Sequence, residues 1–338
     1  MKNGIAYTLL AAVLFVTLEP VSKLIVGAVN PYAITLWRFL IGTIFLLPPA
    51  IIKLKKEDIY ISFKDLGGMT LLGLLFICIS MLTLQLAVEK ATNPSLIAVI
   101  FSANSIFSIL FSRFFNKERL NTNRTIALVL GVVGIIILCT DFTSGTSLSS
   151  IIFAIFAALT FSLYTILGSR YSKKFGGIIQ TAVAFLTGSI ILLTVLLVAG
   201  VDISLPFEAK TLSVLCYLGF LVTGLGYLLY FKAMEKGGTI MASLTFFIKP
   251  VLTPFATFFV NGIMPNGRIF AAVVCIVTAS YFAAYRKQGF CSSQTSQPWC
   301  LLTSLRRKKR GITGKTCNAK QERGAAASLS CRNMGYKN

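Results

Sequence analysis

Histidine is absent from this 338-residue chain, and acid is scarce, with 11 Asp and Glu against 32 Lys and Arg. The missing imidazole removes the commonest general base and metal ligand, and with it histidine-dependent intramembrane proteases and oxidases. Charged residues make up only 13%, whereas a soluble domain carries roughly 25%. With 55% hydrophobic residues and a mean hydropathy of +0.79, no soluble core could absorb the chain. The eight cysteines form no recognisable site. Cys78, Cys139, Cys216 and Cys275 fall in apolar runs, where each reads as a small packing residue. Cys291, Cys300, Cys317 and Cys331 lack Cys-x-x-Cys spacing, so neither a metal site nor stable disulfides are expected. No cofactor and no enzyme activity are expected either.

What the chain does have is long apolar runs. A bilayer-spanning helix needs about 20 mainly apolar residues, and ten spans are read near 4–26, 32–52, 66–88, 94–114, 124–140, 149–168, 177–199, 211–232, 240–261 and 269–285. The first is too long for a cleavable signal peptide and is continued by further spans. The second five repeat the first five at an offset of about 146 residues. Both copies close their third span with Ala-x-Glu-Lys, at Ala87, Val88, Glu89, Lys90 and again at Ala233, Met234, Glu235, Lys236, after apolar runs holding Gly73 and Gly219. An odd number of spans per repeat makes the second copy enter the bilayer from the opposite side, an arrangement used by secondary transporters.

Basic residues orient the stack. With the N-terminus in the cytoplasm, fourteen Lys and Arg fall in inside loops, including Lys53, Lys55, Lys56, Lys64, Arg170, Lys173 and Lys174, and three fall outside, Lys90, Lys210 and Arg268. Both termini are therefore expected inside. Twelve further basic residues and Glu322 sit in the tail 286–338, where Arg306, Arg307, Lys308, Lys309 and Arg310 form a cluster able to touch anionic lipid or nucleic acid. Its flanks have little apolar periodicity and read as disordered. No nucleic-acid partner is expected.

Polar residues inside spans are the candidate site, because a charge at a helix centre costs about 2.5–3.5 kcal/mol on insertion scales. At about 1.5 Å per residue, Lys249 lies roughly 14 Å into span nine, close to the midplane. Glu19 lies about 22 Å from the cytoplasmic start of span one, with Lys23 within i,i+4 reach. Lys249 either contacts substrate or is locked to Glu19 as a tie between helices. Pro20 and Pro250 each predict a kink that frees backbone polarity, Pro250 by clashing with the Phe246 carbonyl. Asn104 occupies the position equivalent to Pro250 and can bond a ligand or a neighbouring helix. Tyr164, Tyr227 and Tyr230 can line a cavity or sit at membrane interfaces. Trp37 and Arg38, about 9 Å from the outer face, read as an interfacial anchor. Gly131 and Gly134 in span five and Ala271, Ala272 and Ala279 in span ten read as close packing, with a weak homodimer seam as the other option.

Several motifs taken in order carry a resemblance. They are Lys23 closing span one, Pro31 followed by Arg38, the Ala-Val-Glu-Lys end of span three, Asn-Lys-Glu-Arg-Leu at 116–120, Gly131 with Gly134, Tyr164, Ala233 and Phe-Ile-Lys-Pro-Val at 247–251. Over about residues 4–285 the chain resembles the drug/metabolite transporter superfamily, and within it the ten-span proteins built from two EamA domains. It departs from that pattern in three places. Phe15-Val16 stands for a Trp-Gly in span one, Asn104 for a proline in span four, and Met264 for a glutamate after span nine.

The resemblance implies an all-α integral membrane fold of ten helices in two inverted five-helix repeats, 1–141 and 142–285, followed by the tail 286–338. It implies a multi-pass carrier of the plasma or inner membrane, monomeric or weakly dimeric, whose partners are the lipid bilayer and a small-molecule substrate. The expected activity is export of an amino-acid-like or other carboxylate-bearing metabolite by alternating access, with coupling to a proton or a counter-substrate. Two alternatives stay open. One is a cation or drug exporter that couples to protons through Glu19, and the other is a membrane sensor or scaffold that transports nothing.

Overall fold

In hydrocarbon a backbone must satisfy its own hydrogen bonds, so apolar runs of this length are expected to close into helices. The computed structural model describes residues 2–115, 122–139 and 147–284, all within the compact unit Met1–Arg286. The 116–120 motif, the four tail cysteines and the basic cluster lie outside the described residues. The elements are α1 (Lys2–Val16), α2 (Leu18–Lys23), α3 (Pro31–Lys56), α4 (Phe63–Gly73), a π-helix (Leu74–Met81), α5 (Leu82–Lys90), α6 (Pro94–Ser102) and α7 (Asn104–Phe115). They continue with α8 (Thr122–Cys139), α9 (Leu148–Phe175), α10 (Gly177–Val198), α11 (Ala209–Cys216), a second π-helix (Tyr217–Leu225), α12 (Gly226–Asn261) and α13 (Gly267–Ala284).

Six helical stretches are long and apolar enough to cross a membrane: Gly4–Lys23, Pro31–Lys56, Phe63–Lys90, Leu148–Phe175, Gly177–Val198 and Ala209–Ala233. Three shorter apolar helices, Pro94–Ser108, Thr125–Leu138 and Gly267–Ala279, accompany them. The second arm of α12 makes the tenth rod. Although α12 is helical throughout, the Tyr230 and Phe246 rings lie 5.8 Å apart, whereas sixteen residues of straight helix would separate them by about 24 Å. The chain therefore reverses between Phe231 and Thr245, and the two arms correspond to spans eight and nine.

Span one is interrupted at Thr17, whose Oγ1 donates to the Leu14 carbonyl. Pro20, three residues on, lacks an amide hydrogen, so the Val16 carbonyl has no i+4 donor. Span four breaks at Ala103, where the amide reaches the Ile100 carbonyl in a 3₁₀-type bond. At Pro250 the chain stays helical, whereas span four is broken at the equivalent position, where the Asn104 side chain competes for the Phe101 carbonyl.

The halves interlock reciprocally. Helix α3 packs on the second π-helix, while α10 packs on α4 and the first π-helix. Small residues at equivalent positions allow both crossings. A Cβ added at Gly73 would lie 2.3 Å from the Ala184 carbonyl oxygen, and one at Gly219 would lie 2.6 Å from Ile41. Helices α8 and α13 pack on one another, with Gly134 against Ile276 and Cys275 and with Ala272 and Ala279 buried. Gly131, Gly134, Ala272 and Ala279 thus serve packing within the chain, whereas Ala271 is exposed. Val132, Ile136, Phe259 and Val274 face outward, as lipid contact requires.

Candidate functional site

A cavity of about 30 Å³ lies between the halves, room for about two waters. Phe15 and Leu18 of span one, Arg38 and Phe39 of α3, Met81 and Phe101 line one side. Phe161, Val222, Thr223, Tyr227, Phe246 and Lys249 line the other. The offset of 146 residues relates several walls: Phe15 answers Phe161, and Met81 answers Tyr227. The mates Phe39 and Phe185 meet edge to face at 4.9 Å, and Phe185 stacks on Phe76 at 5.3 Å. The cavity therefore sits where the two repeats face each other, on an aromatic floor.

The charges break that symmetry. Glu19 answers Thr165, Arg38 answers Ala184, and Lys249 answers Ala103. Lys249 donates from Nζ to Glu19 Oε1 at 2.6 Å, and both side chains are buried. The ammonium also lies over the Phe101 ring at 5.2 Å. Glu19 Oε2 is buried without a hydrogen-bond partner. Of the two roles open to Lys249 in the sequence, this geometry shows the tie to Glu19.

Lys23 is not the partner of Glu19. Its Nζ donates to the carbonyls of Val88 and Glu89 at 3.1 and 3.0 Å, placing a cation on the C-terminal end of α5, where exposed carbonyls concentrate negative charge. Span one is thereby latched onto the Ala-Val-Glu-Lys end of span three. Next to it, Pro20 offers its carbonyl to Asn261 Nδ2 at 3.1 Å, tying span one to the end of α12.

The other predicted residues separate into wall and scaffold. Tyr227 lines the cavity. Tyr230 packs behind it against Phe15 and Phe246. Tyr164 accepts from Gln180 Nε2 at 3.3 Å and packs on Phe76 at 4.5 Å, joining spans six, seven and three. Asn104 bonds the Phe101 carbonyl, and its own carbonyl accepts from Ser162 Oγ at 2.6 Å. Pro250 is buried beside Lys249.

Arg38 was missed. Read as an outer-face anchor, it is instead 2% exposed, lines the cavity and holds its guanidinium over the Phe39 ring at 4.7 Å. Depth along the membrane normal could not show this, because it does not say which side of a helix faces the protein. The phase of α3 could have: Ile34, Thr35 and Gly42, four and three residues before Arg38 and four after it, are all buried and share its face. Trp37 stays half-buried, donating from Nε1 to the carbonyl of Ile203 in the segment between α10 and α11 at 3.0 Å.

Two helical repeats facing one another across a cavity with buried charge define a membrane carrier. Comparison with known proteins makes that specific. The EamA-like transporter family matches residues 2–140 and 148–285, and the chain belongs to that family. An uncharacterized transporter of Clostridium kluyveri is 31% identical over 83% of this chain and 92% of its own length. YdfC of Bacillus subtilis, another uncharacterized transporter, is 27% identical over 70% and 76%. The S-adenosylmethionine uptake transporter of Rickettsia prowazekii is 20% identical over 86% and 96%. A solved crystal structure covering 84% of this chain and 96% of its own shares the fold, with a TM-score of 0.59 at 16% identity.

Proposed function

We propose that this transporter moves a small carboxylate-bearing metabolite, amino-acid-like or related, outward across the cell membrane by alternating access. The observation that carries the reading is the uneven charge at the cavity: two cations, Arg38 and Lys249, against one buried carboxylate, Glu19. Among the described residues such a site carries one positive charge in excess, and an anionic group supplies the balance. A cavity of about 30 Å³ is far below the roughly 300–1,000 Å³ of ligand sites. The conformation is thus closed around the site, and helix movement must open it to either face. The Rickettsia relative is, by its name, a transporter for S-adenosylmethionine uptake, a solute with both a carboxylate and a sulfonium cation, so direction and charge preference are matters for experiment.

The test is counterflow in proteoliposomes loaded with a panel of amino acids and simple organic acids, each beside its uncharged amide. Exchange of carboxylates over amides is expected. Exchange of lipophilic cations with none of the carboxylates would replace the proposal by proton-coupled cation export. One observation favours that second reading: Oε2 of Glu19 is buried and has no hydrogen-bond partner among the described residues, which leaves a carboxylate oxygen open to a cationic group.

A further inference from the structure

The ammonium and the guanidinium of the cavity do not stand in equal positions. Lys249 is already neutralised, with Glu19 at 2.6 Å and the Phe101 face beneath it. Arg38 is not. Its Nε is buried and has no hydrogen-bond partner among the described residues. The guanidinium carbon lies over Phe39 at 4.7 Å, a contact that occupies the flat of the group and leaves the Nε–H on its edge unmatched. A cation held out of water with a donor unmatched is costly, and a charge kept within a span points to use.

The backbone around Arg38 is built to hold it there. A Cβ at Gly219 would lie 2.6 Å from the Ile41 side chain and 3.3 Å from the Arg38 carbonyl oxygen, so a residue without one lets α3 approach the second π-helix this closely. That π-helix is supported by Thr223, whose Oγ1 donates to the Leu218 carbonyl five residues back. Val222, Thr223 and Tyr227 of spans eight and its continuation then face Arg38 across the cavity.

We propose that Arg38 is the residue that binds the anionic group of the substrate, through two N–H groups of its planar fork, while the Glu19–Lys249 pair stays closed as part of the wall. This rests on the carboxylate reading above and deepens it by naming the recognising group. The ligand class is a carboxylate small enough to lie edge-on to a guanidinium, with an apolar or aromatic-compatible remainder against Phe15, Phe161 and Tyr227.

The experiment uses the full-length chain purified in detergent, and reads thermal stabilisation by amino acids and simple carboxylic acids against their amides, followed by affinity for each stabilising acid. The wild type is expected to prefer acids. Arg38→Gln should weaken the acid by roughly ten- to a hundredfold and erase the preference over the amide. Arg38→Lys should restore it only in part, since an ammonium cannot make the two parallel bonds. Lys23→Met, whose ammonium bonds the Val88 and Glu89 carbonyls and does not line the cavity, is the control and should keep the acid-over-amide preference. If Arg38→Gln keeps that preference and Glu19→Gln/Lys249→Met loses it, the assignment to Arg38 is overturned while the carboxylate reading survives with Lys249 as its carrier. If the wild type prefers no acid over its amide, the carboxylate reading falls and the assignment falls with it. Should Arg38→Gln fail to fold, Arg38→Lys decides alone, because unchanged affinity for the acid there overturns the proposal.

Discussion

Glu19 and Lys249 are 230 residues apart and close one buried ion pair. Breaking such a pair from one side leaves the other charge buried and uncompensated, at about 3–5 kcal/mol, whereas replacing both by neutral groups of similar size is often close to neutral. Glu19→Gln and Lys249→Met should therefore each lower the unfolding temperature of the purified protein sharply, and the double variant should recover most of the loss. Additive losses in that cycle would show that the two groups are not coupled. Lys23 offers a milder case: Lys23→Met removes the cation from the Val88 and Glu89 carbonyls and should cost about 1 kcal/mol in chemical unfolding, leaving acid-over-amide discrimination intact. At this scale the sequence was partly legible. The sequence marked Glu19 and Lys249 as charges inside spans that could pair, because each must find a partner away from water. Depth arithmetic misread Arg38, and it left Tyr164 and Asn104 open, because depth is blind to helix rotation and all three are decided by which way α3, α9 and the broken span four face.

Between elements, the crossings at Gly73 and Gly219 decide how closely the halves fit. The obstacle to a Cβ at Gly73 is a backbone oxygen of α10 at 2.3 Å, which cannot rotate away as a side-chain end could. Gly73→Leu should therefore force α4 and α10 apart and abolish monodisperse protein in size-exclusion chromatography. Gly67→Ala, with nothing within 4 Å of the new Cβ, should be tolerated. Normal elution of Gly73→Leu would contradict the packing described. These glycines stood out in the sequence as a repeated feature of the third spans. The π-helices beside them did not, since an i→i−5 hydrogen-bond pattern leaves no composition signal. The repeat in their placement, Leu74–Met81 and Tyr217–Leu225, is visible only in three dimensions. Nor did the sequence show that a proline would be absorbed in α12 while an asparagine broke span four, because Asn104 acts through a side-chain bond to Phe101 that competes with the helix.

For the whole molecule, the reciprocal crossings of α3 and α10 were foreseeable from the offset of 146 residues, and the asymmetry of charge across them is what turns a symmetric frame into a site. Orientation in the membrane is a separate matter, set by where cations are retained during insertion rather than by packing. Fourteen Lys and Arg in the loops assigned to one side against three on the other predict both termini in the cytoplasm, with the repeats 1–141 and 142–285 expected to enter from opposite faces. Two exposed positions read this directly: Lys56, at the end of α3, and Phe207, in the segment before α11. On a background with the eight cysteines replaced, a membrane-impermeant maleimide applied to intact cells should label Phe207→Cys and spare Lys56→Cys, and the pattern should equalise once the membrane is opened. The asymmetry between two sites on one chain makes the test internal, since leaky cells would label both. External labelling of Lys56→Cys with protection of Phe207→Cys would invert the molecule in the bilayer, and every outward step proposed for the substrate would then have to be rewritten as entry.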